Sequence, residues 1–412
     1  MPTVILCYLF AYFDRINISF AKFQLQDALA LSDTAYGLGA SLFVIGYVIF
    51  EVPSNLLLYR FGARRWLARI IISWGLATAA MVFVQTTWQF YTLRFLIGAM
   101  EAGFAPGVLY YLTLWFPTSH RGRITALLFL APALSGLIGS PLAGLILQTT
   151  DGLMGLSGWH WLFLSGGLPC VPLGWLVLRV LKDKIDDAPW LDAGEKLWLA
   201  KNIREQQAGT QEKSLIDAIK TPGFLTLAVI YFLVQVGSYG LNFWAPHLIR
   251  TAGVRSSAVM GVLVAVPYVC GAITMVVTGR WTDAGGQRHR LLAGLLAIAA
   301  IGFTACGLFD YNIQILVVAL AITGLGMVAA IPAFWALPPK LATGVGAAGG
   351  IALINTLGQL GGVVSPFMVG RIRDLTGSTT PALYMIAGVL SLGAVLVLFR
   401  LPPGLRAPEG TS

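Results

Sequence analysis

The sequence predicts an all-α polytopic membrane protein with 12 transmembrane helices, arranged as two six-helix halves. Three observations predict it. Hydrophobic residues make up 57% of the 412-residue chain and charged ones only 11%, whereas a soluble surface needs roughly 25%. Mean hydropathy is +0.77. The apolar residues fall into twelve runs, and twelve helices of about 20–25 residues use roughly 240–300 positions. Enough chain remains for short loops and one longer one. A soluble enzyme is excluded.

The runs follow in order, each bounded by polar punctuation. In the first half they lie near 2–22, 36–59, 66–86, 88–115, 122–148 and 160–181; in the second, near 222–250, 257–281, 289–309, 312–337, 343–370 and 381–401. The chain then divides into an N-terminal bundle over 1–181, a linker over 182–221, a C-terminal bundle over 222–401 and a tail over 402–412. The linker mixes charges from Lys182, Asp183 and Lys184 through Lys201, Arg204 and Glu205 to Glu212 and Lys213, which reads as solvated chain with short surface helices. Asp14 and Arg15 interrupt the first run and no small-residue cleavage site follows, so this run is not a cleavable signal. It begins almost at Met1, and a cytoplasmic tail ahead of it is expected to be missing.

A net charge of +9 is explained by topology better than by nucleic acid, since no basic stripe with interleaved aromatics is present. Lys and Arg in short loops mark the cytoplasmic side. One side receives Arg60, Arg64, Arg65, Arg121, Arg123, Arg280, Arg288, Arg290, Lys340, Arg400 and Arg406; the other receives Lys22, Arg250, Arg255, Arg371 and Arg373. Both termini and the linker are therefore expected in the cytoplasm. Cys7, Cys170, Cys270 and Cys306 lie inside apolar runs with no CxxC pairing and read as small apolar helix residues.

The halves repeat weakly. Arg60-Phe61-Gly62-Ala63-Arg64-Arg65 is echoed by Gly279-Arg280-Trp281-Thr282-Asp283, Pro117 by Pro338, and Ser140-Pro141 by Ser365-Pro366, at offsets of about 220–225 residues. A duplicated six-helix unit places a substrate site near the midplane between the halves. No metal-ligand cluster, P-loop or nucleophile constellation occurs in the sequence, which disfavours ATP-driven transport and catalysis.

Ionisable groups in hydrocarbon are costly and mark function. Asp14 and Arg15 lie in the first run, Glu51 in the second, and Arg94 and Glu101 in the fourth. Asp14 and Arg15 are adjacent, hence about 100° apart on a helix, and Arg15 shares a stripe with Tyr12 and Ser19. An Arg facing a cavity stays cationic, and its planar fork suits a carboxylate; a fixed structural pair with a neighbouring acid is the plainer alternative. Arg94 and Glu101, seven residues apart, share a helix face. Burial and a nearby Arg compete over the charge of Glu101, which suits a proton carrier; a permanent Arg94–Glu101 bridge is the alternative. Asp14 is a second candidate proton site. Glu51 is a candidate gate or a helix-kink partner. The second half offers only neutral polar groups away from its helix ends, among them Gln235, Tyr239, Asn242, Tyr268, Trp335, Asn355 and Gln359. His160 and His247 lie near helix ends and receive no role.

Twelve spans, a charged central loop and paired basic–glycine loops resemble the major facilitator superfamily over nearly the whole chain. Its loop motif is G-x-x-x-D-R-x-G-R-R; the second copy here keeps its acid at Asp283, while the first has Tyr59 where Asp is usual. Tyr12-x-Asp14-Arg15-x-Asn17, Tyr47 and Arg94…Glu101 resemble more narrowly the anion:cation symporter family. Its members include bacterial permeases for galactonate, glucarate, tartrate, phthalate and hydroxyphenylacetate, and the animal vesicular glutamate carriers and sialin. The resemblance implies that Arg15 binds the substrate carboxylate and that Asp14 and Glu101 carry coupling protons, with Arg94 beside Glu101. It also implies that Tyr12, Tyr47, Trp335 and Asn355 line the site, with Gln235 an extension.

The expectation is a proton-coupled importer of a small organic anion, such as tartrate or a sugar acid. It would be monomeric, in a bacterial inner membrane, with protons as the coupling ion and no cofactor. Pro332 and Phe334 flank Trp335 where a sugar-acid site would want hydroxyls, which favours a smaller or partly apolar acid. Two rivals stand beside this reading. One is a proton-driven drug exporter, for which the Gly136–Gly144 stretch resembles an antiporter motif. The other is a non-transporting nutrient sensor, which the short linker makes less attractive.

Overall fold

The computed structural model describes residues 2–116, 128, 130–208, 221–283, 286–338 and 345–406. Among the described residues, twelve helices are long and apolar enough to cross a membrane: α1 Pro2–Leu29, α2 Asp33–Phe61, α3 Ala63–Phe83, α4 Thr87–Trp115, α5 Leu130–Thr149, α6 Gly158–Val180, α7 Phe224–Thr251, α8 Ser257–Thr282, α9 Arg288–Leu308, α10 Ile313–Trp335, α11 Gly350–Thr376 and α12 Thr380–Phe399. With no water in hydrocarbon, a helix satisfies every backbone group within its own segment, which is why the apolar runs fold this way. An even number of crossings puts both chain ends on one face, called here the termini face. The α1–α2 turn lies on the far face.

Local chemistry sets the helix ends. Ser32 accepts from Ala35 N at 3.1 Å and starts α2, a Thr86–Gln89 capping box starts α4, and Asn312 accepts from Gln314 N and Ile315 N to start α10. Each satisfies amide donors that have no partner inside the helix. Two runs expected to be continuous are interrupted. Helix α4 stops at Glu101 and resumes at Phe104, with Gly103 left-handed at φ 84°. Helix α6 breaks between Gly167 and Cys170, where Pro169 cannot donate to the preceding turn. Apolar periodicity carries no record of such breaks, because the residues on either side remain lipid-compatible. A π-helical turn at Ser135–Gly139 similarly interrupts α5.

The two halves meet along α2 with α11, α5 with α8, and α1 with α7. Small residues permit backbone-to-backbone approach, the usual packing device where lipid is as apolar as the side chains. A Cβ on Gly144 would lie 2.2 Å from the carbonyl oxygen of Ser257, one on Gly261 2.5 Å from that of Ser140, and one on Gly37 2.3 Å from that of Pro366. The Gly136–Gly144 stretch is thus occupied by packing: Gly136 faces the Tyr268 ring and Gly139 the Phe13 ring. Gly144→Ala should wedge α5 from α8 at the far face. Overpacking of this kind costs about 1–3 kcal/mol, so cysteine-accessibility labelling of far-face positions should rise roughly 5- to 150-fold relative to the parent at equal reagent.

The first basic–glycine loop lacks an acid at Tyr59, which packs edge-on against Tyr110. Asp183, at the start of the linker, stands in its place. It accepts from Arg64 N at 2.8 Å beside Gly62, whose φ of 86° turns the chain between α2 and α3. A helix at Ala193–Ala208 occupies part of the linker. Pro117, Arg121, Arg123, Glu212, Lys213, Gly285 and Lys340, the side chains of Arg204, Glu205 and Asp283, and the ends of the fifth and eleventh expected runs lie outside the described residues.

Candidate substrate and proton site

The break in α4 delivers Glu101 to the core of the first half, almost completely buried. Its partner is Arg15 of α1: Nη2 and Nε both donate to Glu101 Oε1, at 2.6 and 2.9 Å. The Arg94–Glu101 bridge weighed from helical spacing is not formed. Arg94 Nε instead donates to Gly39 O at 3.4 Å, and its guanidinium lies 4.9 Å from the Phe43 ring centroid. Sharing a face of α4 did not bring the two together: seven residues rise about 10.5 Å along a helix, whereas Arg15 comes within 2.6 Å of Glu101 from α1.

Arg15 is held in an aromatic enclosure, its guanidinium 5.2 Å from the Tyr12 centroid, 5.3 Å from Tyr47 and 5.4 Å from Phe43. Ring faces attract a cation without neutralising it. The side chain keeps 21% exposure while Glu101 keeps 1%, so the pair is open on the Arg15 side only. Two of five guanidinium N–H donors are spent on one carboxylate oxygen. The rest are free to meet an anion, and Glu101 Oε2 has no partner among the described residues.

Asp14 points away from this opening, as the 100° offset requires. It is buried behind Arg15 near Asn17 and Gly166, with Oδ2 unpartnered among the described residues. Glu101, Arg94 and Arg15 are the charges acting on it. Asp14, Arg15, Arg94 and Glu101 therefore form one connected cluster.

Across from it stands the wall supplied by the second half. Gln235 donates to Gln359 Oε1 at 3.0 Å and Tyr239 OH to the same oxygen at 3.1 Å. Trp335 Nε1 donates to Tyr231 OH at 3.3 Å, and Tyr231 stacks on Phe334. Asn242 accepts from Tyr268 OH and so joins α7 to α8.

Glu51 bridges the halves. Its Oε1 accepts from Asn355 Nδ2 at 3.0 Å and its Oε2 from Thr356 Oγ1 at 3.2 Å. Asn355 thus spends one of its two amide donors on a protein carboxylate in this structure. Thr356 and Tyr231 were not among the expected site residues, and Gln359 was noted only as a polar group of the second half. Gln359 was legible in principle, since it follows Asn355 by four and shares its helix face.

Two basic groups also differ from expectation. Lys22, counted as a loop charge, is fully buried, because α1 runs on to Leu29 rather than ending at residue 22. His247, assigned no role, is fully buried against it, with Nδ1 3.3 Å from Lys22 Nζ.

A family model described as Major Facilitator Superfamily matches residues 4–366 and again 227–411. A relative from Agrobacterium vitis, carrying the provisional name tartrate transporter, is 42% identical over 99% of this chain and 91% of its own. A relative from Acinetobacter baumannii named quinolone resistance transporter is 41% identical over 96% of this chain and 92% of its own. The crystal structure of a D-xylose–proton symporter superposes with a TM-score of 0.78 at 14% identity, over 98% of this chain and 97% of that one, a likeness of fold. Twelve membrane-crossing helices among the described residues, a buried ionic cluster in the first half, a Glu51 bridge between the halves and these matches together place the chain as a multi-pass transporter of the Major Facilitator Superfamily, to which it belongs.

Proposed function

We propose that this transporter imports a small organic anion, a hydroxy-dicarboxylate such as tartrate or a sugar acid, together with protons. The observation that carries the reading is Arg15: a guanidinium enclosed by aromatic rings, open on one side, and clasped to an acid whose second oxygen has no partner among the described residues. Such a group is a carboxylate receptor whose strength depends on the charge of Glu101. Protonated Glu101 and Asp14 would leave Arg15 free to take the substrate carboxylate. Proton loss restores the Arg15–Glu101 pair and ejects the anion. Tyr12 and Tyr47 would flank the anion, with Gln235, Trp335 and Asn355 opposite.

Energetics supports the coupling. An anion entering a cell that is negative inside is opposed by about 2.3 kcal/mol per charge per 100 mV, and carrying more protons than substrate charges reverses that sign. The Lys and Arg asymmetry supports a cytoplasmic termini face, and the far face would then look outward from a bacterial inner membrane. The likeness to a relative named for tartrate supports the substrate class.

Export of drugs is the second reading, favoured by the relative named for quinolone resistance. An Arg in the cavity suits an acidic or zwitterionic drug better than a cationic one. Uptake into proteoliposomes of purified protein separates the two. With an acidic exterior and a negative interior, a labelled hydroxy acid should accumulate, compete with sugar, dicarboxylic and aromatic acids, and leak out on addition of a protonophore. No uptake of any acid, with drug-stimulated proton release instead, would replace import by export.

A further inference from the structure

Charged and titratable side chains from four helices meet near the far face, apart from the Arg15 site. Lys22 of α1 is 0% exposed, with Nζ 2.7 Å from Asp33 Oδ1 of α2 and 3.3 Å from His247 Nδ1 of α7. Its ammonium also lies 3.7 Å from the Trp244 ring centroid. Arg373 of α11 pairs with the other Asp33 oxygen. Asp374 caps the first turn of α2, accepting from Asp33 N at 3.1 Å and Thr34 N at 2.8 Å. Of these contacts only Lys22–Asp33 lies within one half. The rest cross the seam and cannot survive separation of the halves at this face.

The 2.7 Å pair with Asp33 favours the ammonium form of Lys22. An ammonium only donates, so beside it the facing ring nitrogen of His247 presents a lone pair and the imidazole is neutral. Its other nitrogen is buried without a partner among the described residues. The charges acting on His247 are Lys22 and Arg373, and those acting on Lys22 are Asp33, Arg373 and Asp374. Two cations therefore face two anions. Tyr36 of α2 and Phe23 of α1 complete the surroundings, and Arg250, one turn further along α7, lies over Phe23. An imidazolium would add an uncompensated third cation in a buried site, which is strongly unfavourable.

We infer that His247 is a proton-binding site distinct from the Arg15–Glu101 pair, and that binding a proton there opens the far face. The closed arrangement excludes the proton; separating the halves releases His247 from Lys22 into water, where an imidazole takes one near pH 6.5. A proton that binds only the open form must favour it. Between pH 8 and pH 5 the ratio of open to closed should rise by about 30-fold. An acidic exterior would thus recruit the carrier to the side from which it loads. The inference rests on transport by alternating access and not on the identity of the cargo.

The test measures the gate without substrate. Met154 and Tyr311, 83% and 75% exposed, lie in far-face loops of the two halves. Spin labels on Met154→Cys and Tyr311→Cys, with the native cysteines replaced, report the separation by pulsed electron resonance. The longer-distance population should grow from pH 8 to pH 5 in the parent. His247→Gln, whose carbonyl still accepts from Lys22, should abolish that growth while anion binding through Arg15 persists. Asp33→Asn, which removes the acid shared by Lys22 and Arg373, should open the face already at pH 8. A pH-dependent shift that survives in His247→Gln would return the effect to Asp14 and Glu101 and overturn the proposal, as would a parent with no shift or an Asp33→Asn variant that stays closed. Failure of anion uptake with these distance changes intact would count against the cargo reading alone.

Discussion

Arg15→Ala should abolish saturable anion binding. Removing one partner of a buried, hydrogen-bonded charge pair costs about 2–5 kcal/mol, or roughly 30- to 5,000-fold in Kd, and here the same group is proposed to hold the substrate. Arg15→Lys should fall in between. It keeps the charge, but a compact ammonium cannot present one fork to Glu101 and another to the anion. Isothermal titration of purified protein with a hydroxy acid reads both. Truncation also strands Glu101, 1% exposed, so Arg15→Ala/Glu101→Gln is the control for folding. It should recover thermal stability lost by the single variant but not binding. Normal binding by Arg15→Ala would remove Arg15 from the site.

Glu101→Gln should separate binding from energy coupling. Glutamine is neutral, as protonated glutamate is, and its carbonyl still accepts from Arg15, so the receptor survives while its proton site is gone. Counterflow exchange of labelled for unlabelled anion should continue. Net accumulation should not: each net positive charge carried inward contributes about 2.3 kcal/mol per 100 mV, roughly 50-fold in concentration ratio, and without its proton the anion is opposed by the potential, so the variant should settle at a ratio no higher than one. Accumulation at the parent level in Glu101→Gln would move the coupling proton elsewhere, with Asp14 the next group to replace. Loss of exchange as well as accumulation would show Glu101 needed for binding itself.

The physical reason these two residues stood out in the sequence is cost. A charge in hydrocarbon is kept only where something repays it, so Arg15, Glu101, Asp14, Arg94 and Glu51 could be singled out without knowing any neighbour. Their pairing could not. Spacing along one helix predicted a shared face for Arg94 and Glu101, yet the ion pair joins residues 86 positions apart on α1 and α4. The break at Gly103, which ends α4 at Glu101, leaves no trace in hydropathy. Asn355 was expected at the substrate and is found donating to Glu51, because the seam of the halves places an acid there first. Lys22 shows the limit most plainly. Counted by position it belongs to a loop, and only the extension of α1 to Leu29 buries it between Asp33 and His247.

What the sequence determined by itself was the number of membrane crossings and the identity of the costly charges. Both follow from transfer of single segments and side chains out of water, which depends on local composition alone. What the tertiary structure decided was which of these charges pair with which, and the face on which the halves are clasped. In a medium with few competing dipoles an ion pair forms with whichever opposite charge the packing brings within about 3 Å, and packing is a property of helices meeting, not of any one of them.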